Sequence, residues 1–205
     1  MGLHEIATAM HERTDLPSEL RGPLIGICDE SVEVAGFPYG CHVCEVEIEP
    51  ELGTVRIVRH TAVDDVGRAV NPLIIHGQTH GGIAQGIGQA LLEHCFYDAD
   101  SGQPLAGSFM DYAMPRADLV PFYTTDISEV PSTTHPLGIR PAGEGGTTPA
   151  LAVVANAVVD ALSDLGVTHI ELPITPERIW RVINGMAQRS RRRPDALEQD
   201  FSAGS

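Results

Sequence analysis

One acidic residue, Glu144, lies in the stretch GIRPAGEGGTTPA, which contains four glycines and two prolines and leads into an apolar helix. Glycine on both sides of this carboxylate allows tight turns that other residues resist. The positive end of the following helix favours the ionised carboxylate, whereas burial would raise its pKa. A carboxylate under both influences has the chemistry of a general base. The alternative is a solvated glutamate in a surface turn, which the local sequence alone favours.

A second candidate is the predicted helix over residues 74–94, which is unusually rich in glycine. Each glycine inside a helix costs about 1 kcal/mol relative to alanine. Either close approach of another helix or close approach of a large ligand would justify that cost. Gln78 and Gln85 are seven residues apart, share a helix face and could hydrogen-bond such a ligand. Both explanations stay open here. The glycines are Gly77, Gly81, Gly82, Gly86 and Gly88, including the i, i+4 pairs 77/81 and 82/86.

The segment DDVGRAVNP before this helix is rich in polar turn residues. Asp65, Gly67 and Asn71 could form a turn closed by their own side chains, or a polar cradle for a ligand. The local sequence favours the turn.

Metal binding by cysteine or histidine has weaker support. Cys41 and Cys44 have CxxC spacing, but the other cysteines supply no second pair, and a strand would point these two to opposite faces. Reduced thiols are therefore expected. His76 and His80 are four residues apart on one predicted helix, a spacing that suits a metal, but no carboxylate motif accompanies them.

Composition excludes several classes of function. The 205 residues carry a formal net charge of −15, which disfavours nucleic acid and anionic membranes as partners. All basic residues are arginine, so chemistry that needs a lysine Schiff base or a P-loop lysine is excluded for this chain. No apolar run approaches the roughly 18 residues of a membrane span, and the start does not resemble a signal peptide. A cytoplasmic location is expected.

The predicted elements mix helices and strands without strict alternation, which indicates an α+β fold. Alternating apolar residues predict a hairpin from CHVCEVEIE and TVRIVRHTAV, joined by EPELG. Thr147 or Thr148 is expected to cap a helix that Gly166 ends, and Thr175 to cap the last helix. Helices are predicted over 3–12, 74–94, 149–165 and from Thr175 onward, with short strands at 23–28, 31–35, in YTTDISEV and in THIELP.

The order of four motifs, DDVGRAVNP, GQTHGGIAQGIGQALLE, GSFMDYAMPRAD and GIRPAGEGGTTPALAVVANAVVDAL, resembles the C-terminal part of the molybdenum-binding large subunit of the xanthine oxidase family. That family includes aldehyde oxidoreductases, xanthine dehydrogenases and aerobic carbon monoxide dehydrogenases. The resemblance covers roughly residues 22–184. It implies an N-terminal helix and linker over 1–21, the second part of a molybdopterin-binding domain over 22–185, and a disordered arginine-rich tail over 186–205.

The resemblance also implies roles for individual residues. Glu144 matches the glutamate that lies beside the molybdenum and acts as base, on a loop whose Gly143 permits close approach. Gln85 matches the glutamine that hydrogen-bonds the pterin. Further residues match the region that holds the pterin and, in bacterial members, its cytosine dinucleotide tail, and no protein side chain is expected to bind the metal. These further residues are Asp65, Gly67, Asn71, Gln78 and Gly82.

The activity implied is oxidation of a C–H bond of an aldehyde or N-heterocycle, or of carbon monoxide, with water as the oxygen source. Electrons would leave through a 2Fe-2S small subunit to an FAD medium subunit, and a further chain would supply the N-terminal half of the large subunit. Without these partners the chain is expected to be inactive. Arg140-Pro141 departs from the Lys-Gly common in the family. The alternatives are a truncated inactive remnant, an interaction module, or a standalone α+β ligand-binding domain.

Overall fold

A computed structural model describes residues 2–23, 25–29, 31 and 34–185. The chain divides into two compact units, Met1–Val34 and Ala35–Ser205. The predicted boundary between residues 21 and 22 stays a prediction, and the predicted tail over 186–205 lies outside the described residues.

The first unit contains the helix α1, Leu3–Glu12, which confirms the helix predicted there. The Glu5 carboxylate accepts a hydrogen bond from the Gly2 amide (2.7 Å) at the start of this helix. The strands predicted at 23–28 and 31–35 are wrong for the residues described in those ranges, which form no strand. Ile25 and Ile27 are largely exposed there, so these apolar residues are not covered by a sheet.

The second unit is built on the predicted hairpin, which the structure confirms. Strands β1, Tyr39–Glu49, and β2, Thr54–Asp65, pair antiparallel with a register shift between Glu45 and Val46. Alternate residues of both strands point to one buried face, as the period of two requires. Strand β3, Thr124–Ser128, was also predicted; it pairs parallel to β2 and gives the order β1-β2-β3.

Helices α2, Pro72–Leu91, α3, Thr147–Ala161, and α4, Pro176–Ile183, confirm the three remaining predicted helices. Helix α3 packs against α2 and β1, and the predicted α+β class is confirmed. The core joins apolar residues of the sheet, α2, α3 and the segment before α4. Its fully buried members include Ala62, Ile83, Ile87, Ala150, Val154, Val158, Ile174 and Ile179.

Of the two expectations about the ends of α3, the cap at its start is wrong, and the end at Gly166 is confirmed in part. Thr147 and Thr148 do not cap the helix, because α3 begins at Thr147 itself and both threonines lie in its first turn, with Gly146 as the capping residue. The α-helix ends at Ala161, but a short 3-10 turn, Ser163–Leu165, follows it, and Gly166 ends that turn in the left-handed conformation.

The strand predicted in THIELP is also wrong, since residues 168–173 have no strand partner. Backbone groups around this segment bond to helices instead. The Ile174 amide donates to the Ala90 carbonyl (2.6 Å), and the Arg178 guanidinium donates to the carbonyls of Glu171 and Pro173. The predicted Thr175 cap of α4 is confirmed, because its hydroxyl accepts from the Arg178 amide (3.4 Å).

Candidate functional site

Helix α2 and the loop that carries Glu144 meet backbone to backbone. A Cβ on Gly82 would lie 2.8 Å from the Thr147 amide nitrogen, and a Cβ on Gly86 would lie 2.7 Å from the Ala150 Cβ. Real Cβ atoms do not approach so closely, so both positions need glycine. Close packing between helices therefore explains Gly82 and Gly86.

The other i, i+4 pair of glycines on α2 has no such explanation. Gly77 and Gly81 are exposed, and among the described residues a Cβ on either would find no atom within 4 Å other than its neighbours along α2. Gln78 and Gln85 are exposed on the same side of the helix. These four residues form an open stripe of bare backbone and side-chain amides, which we call the α2 stripe.

The loop before α3 borders the α2 stripe. A Cβ on Gly143 would lie 4.0 Å from Gln78 Nε2, and the Thr147 hydroxyl lies 3.4 Å from Gln85 Oε1, within reach of a hydrogen bond. Of the predicted cofactor residues, Gln78 thus lies beside Gly143, and Gln85 lies beside Thr147 at the start of α3.

Glu144 is exposed in this loop, three residues before α3 begins. Its carbonyl accepts from the Thr148 amide (3.3 Å), which fixes the backbone at the start of the helix. Within the described residues, its carboxylate has no hydrogen-bond or ion-pair partner. The side chain is therefore not held by other described protein groups, and its role as base stays a prediction.

Asp65 is buried at the end of β2 and accepts several hydrogen bonds. Its Oδ1 accepts from the Gly67 amide (2.8 Å), and its Oδ2 accepts from the Val130 amide (2.9 Å) and the Ser128 hydroxyl (3.3 Å). The Tyr39 hydroxyl is a further donor. Burial acts to raise the pKa of Asp65, but these hydrogen bonds outweigh it and lower that pKa below its ordinary value.

Gly67 joins the Asp65 loop to the Glu144 loop. Its φ is +66°, and a Cβ there would overlap the Gly138 carbonyl oxygen. The Arg140 amide donates to the Val66 carbonyl (2.7 Å), and the Arg68 amide donates to the Gly138 carbonyl (2.9 Å). Asp65 and Gly67 therefore lie inside the protein, where protein groups already occupy the Asp65 carboxylate.

Arg140 contacts Asp65 through its side chain. Its Nε lies 3.5 Å from Asp65 Oδ1, an ion pair too poorly aligned to count as a hydrogen bond, so the buried Nε has no hydrogen-bond partner. The guanidinium stacks 5.1 Å above the Tyr39 ring. Sequence reasoning treated Arg140 only as a departure from the family pattern.

Asn71 has a local role at the start of α2. Its side-chain oxygen accepts from the Ile74 amide (3.3 Å), so it is the N-cap of the helix. The residue is exposed and its amide nitrogen has no hydrogen-bond partner within the described residues.

A buried polar chain on the inner face of the hairpin was not predicted. His42 Nδ1 lies 3.2 Å from His60 Nε2, and His42 Nε2 lies 3.1 Å from Asp64 Oδ1. Burial, followed by the neighbouring His42, lowers the pKa of His60 to about 4. His60 Nδ1 and Asp64 Oδ2 are buried without a hydrogen-bond partner. The alternation of residues 42, 60 and 64 onto the buried face was the signal available in the sequence.

The cysteines are free thiols, as predicted. Cys41 is exposed and Cys44 is half-buried, and burial raises the pKa of the Cys44 thiol to about 11. His76 and His80 both bond to the Thr125 hydroxyl (2.8 and 3.0 Å). Among the described residues, no group of three or more histidine, cysteine or acidic side chains could hold a metal ion.

Comparison with known proteins identifies the family. Residues 8–121 match the family model described as a molybdopterin cofactor-binding domain. The chain is 37% identical over 145 residues to the carbon monoxide dehydrogenase large chain of Hydrogenophaga pseudoflava, covering 71% of this chain and 18% of the relative. It is 40% identical over 150 residues to the nicotine 6-hydroxylase large subunit of Paenarthrobacter nicotinovorans, covering 73% and 18%.

Comparison with solved structures supports the same family. Quinoline 2-oxidoreductase from Pseudomonas putida 86 superposes with a TM-score of 0.68 at 44% identity, covering 71% of this chain and 18% of that one. The chain therefore belongs to the xanthine oxidase family of molybdenum hydroxylases and corresponds to part of the molybdopterin-binding large subunit. It spans about a fifth of the length of these relatives.

These relatives are a dehydrogenase, a hydroxylase and an oxidoreductase. In the part of the chain that the structure describes, no helix is both long and apolar enough to cross a membrane.

Proposed function

We propose that this chain forms one side of the molybdenum centre of an enzyme that oxidises a C–H bond of an aldehyde or N-heterocycle, or carbon monoxide, with water as the oxygen source. The observation that carries the proposal is the placement of the α2 stripe beside the Glu144 loop. Bare helix backbone, the exposed side-chain amides of Gln78 and Gln85 and the exposed, unengaged carboxylate of Glu144 belong to these two neighbouring segments.

The α2 stripe fits a molybdopterin. Gly77 and Gly81 leave open space that no protein atom explains, so a flat ligand can lie against the helix backbone. The amides of Gln78 and Gln85 offer donors and acceptors along one edge of that space. Gly82 contributes indirectly, because it lets the Glu144 loop approach α2. When bound, the molybdenum cofactor supplies the redox chemistry, and its own sulfurs rather than protein side chains hold the metal.

Glu144 acts as the general base in this proposal. Its carboxylate accepts a proton from the group that attacks the substrate. Gly143 carries no side chain, so the loop can approach a ligand on the α2 stripe closely.

The remaining predicted residues act at the start of α2. The free amide nitrogen of Asn71 is placed to bond the distal part of the cofactor, for which we propose the cytosine dinucleotide form. Asp65 and Gly67, whose polar groups are engaged within the protein, shape the loop that leads to Asn71.

The proposed enzyme needs more protein than this chain. The relatives are large chains or subunits of which this chain spans only about a fifth, so the rest of the molybdenum subunit must complete the site. A 2Fe-2S subunit and an FAD subunit would carry electrons away, and the chain alone would be inactive. A location in the cytoplasm accords with this proposal.

Co-expression of the chain with the remainder of its enzyme, in a host that makes molybdopterin, tests the proposal. Molybdenum and a released cytidine nucleotide are expected in the size-exclusion peak that contains this chain. Glu144→Gln is expected to keep molybdenum and lose about 100-fold or more in kcat. A metal-free chain, or full turnover by Glu144→Gln, would contradict the proposal and favour an inactive remnant or an interaction module.

A further inference from the structure

We propose that Asp65 and Arg140 are positioning residues that hold the Glu144 loop in place from the side opposite α2. This inference rests on the proposed role of Glu144 as base. It assigns to Asp65 a role that acts through Arg140 rather than through direct contact with the cofactor.

Asp65 is built as a fixed anchor. Donors from three separate positions, the amides of Gly67 and Val130 and the hydroxyl of Ser128, hold its carboxylate, and only 2% of the residue is exposed. A carboxylate held by this many donors cannot turn toward another partner without losing them. The negative charge of Asp65 is therefore held at one position at the end of β2.

Arg140 ties the loop to this anchor at several points. Its amide donates to the Val66 carbonyl (2.7 Å), its Nε lies 3.5 Å from Asp65 Oδ1, and its side chain is 19% exposed. Tyr39 contacts both members of the pair, since its ring lies under the guanidinium and its hydroxyl donates to Asp65. Removing the Arg140 charge would leave the buried Asp65 carboxylate its neutral donors but no cation beside it, and would release the Arg140 end of the loop from Asp65.

The opposite end of the loop is held by α2. A Cβ on Gly146 would overlap the Thr79 carbonyl oxygen, and the Thr147 amide packs against Gly82. Residues 141–145 therefore span two anchors, one at Arg140 and one at Gly146. Glu144 lies in that span, next to the α2 anchor, and its own side chain makes no hydrogen bond there. Its position thus depends on the two anchors.

A purely structural ion pair would stabilise the fold as a whole, whereas a positioning pair acts mainly on the loop. The two roles predict different results. Loss of positioning lowers kcat with little change in KM, because a small displacement of a catalytic group costs about 10- to 100-fold in rate. Loss of general stability loosens the hairpin and α3 together with the loop.

The test compares Arg140→Met, Arg140→Lys and the control Arg56→Met in the assembled enzyme. Arg56 forms an exposed pair with Glu47 on the same hairpin, so its loss removes an ion pair without touching the loop. The first readout is amide hydrogen exchange over residues 138–148, compared with residues 39–65. The second is kcat and KM of the loaded enzyme.

Arg140→Met is expected to speed exchange of the loop amides about tenfold, to leave the hairpin unchanged and to lower kcat with KM nearly constant. Arg140→Lys keeps the charge and should restore part of both effects, and Arg56→Met should change neither. Unchanged loop exchange in Arg140→Met, or equal loosening of loop and hairpin, would overturn the inference.

The two proposals can fail separately. If Arg140→Met loosens the loop while Glu144→Gln retains full turnover, the role of Glu144 as base is wrong and only the contact between the loops stands. If Glu144→Gln is inactive and Arg140→Met leaves both exchange and kcat unchanged, the proposed role of Glu144 as base stands and the positioning role of Arg140 is wrong. Should Arg140→Met not assemble, Tyr39→Phe, which removes only the hydroxyl donor to Asp65, gives the same comparison on a smaller scale.

Discussion

Gly82 on α2 lies directly against Thr147 at the start of α3, because a Cβ on Gly82 would be only 2.8 Å from the Thr147 amide nitrogen. Gly77, five residues earlier on the same helix, has no atom within 4 Å of the corresponding position. Of these two glycines on one helix, Gly82 is tightly packed against a neighbouring helix and Gly77 faces open space. This contrast separates the glycine that packing requires from the glycine that packing does not explain.

Alanine at these two positions should therefore have opposite effects on stability. Gly82→Ala gains helix propensity but forces the backbones of α2 and α3 apart, and we expect a net loss of about 1–3 kcal/mol. Gly77→Ala meets no obstacle and should raise the free energy of unfolding by about 0.5–1 kcal/mol. Urea unfolding of both variants measures the difference. Equal effects of the two substitutions would show that α2 and α3 can separate without cost.

Gly81→Ala tests whether the α2 stripe lies under the cofactor. The substitution adds a methyl group that no described protein atom opposes, so, as for Gly77→Ala, the chain should be at least as stable as before. The same methyl group would lie between helix backbone and a flat ligand. Molybdenum content of the assembled enzyme is expected to fall several-fold, whereas Gln89→Ala, further along α2, should leave it unchanged. Full molybdenum content in Gly81→Ala would place the cofactor elsewhere.

Periodicity predicted most of the fold. The alternation of the hairpin and the apolar face of α3 are local patterns, so their elements were correct within a few residues. Strands predicted at 23–28 and 168–173 failed, because a strand also needs a neighbour to pair with, which a short segment does not encode. The backbone near residues 171–174 bonds to α2 and α4 instead.

The candidate site could be predicted only in part. The sequence identified the two i, i+4 glycine pairs, but glycine has no side chain whose polarity would indicate which pair is buried. The structure assigns 82/86 to packing and leaves 77/81 open. The pairing of Asp65 with Arg140 joins residues 75 positions apart, which no local pattern could reveal.

Cys41 and Cys44, three residues apart on β1, should differ in reactivity. Burial, and then the neighbouring Glu45, raises the pKa of the Cys44 thiol to about 11, whereas Cys41 is exposed. At pH 8 only about one Cys44 thiol in a thousand is then ionised, and the thiolate is the reactive form. Iodoacetamide should therefore label Cys41 at least tenfold faster than Cys44, as fragment-ion mass spectrometry can measure. Equal labelling would contradict the half-buried position of Cys44.

His60 should make the stability of this chain depend on mildly acidic pH. Burial, followed by His42, lowers the pKa of His60 from 6.5 to about 4, so the unfolded chain binds its proton at higher pH than the folded chain. Between these two values the unfolded state holds more protons, and stability falls as pH falls. For one group the slope cannot exceed about 1.4 kcal/mol per pH unit. Above pH 6.5 the contribution of His60 is fully present.

Urea unfolding at several pH values between 7 and 4 measures this effect, and His60→Gln should flatten the curve in that window. The control is His169→Gln, because His169 is exposed and lies outside the buried chain of His42, His60 and Asp64. It should leave the slope as it is in the original chain. A slope that His60→Gln does not change would mean that another group binds the proton, and His42, hydrogen-bonded between His60 and Asp64, would be the next residue to substitute.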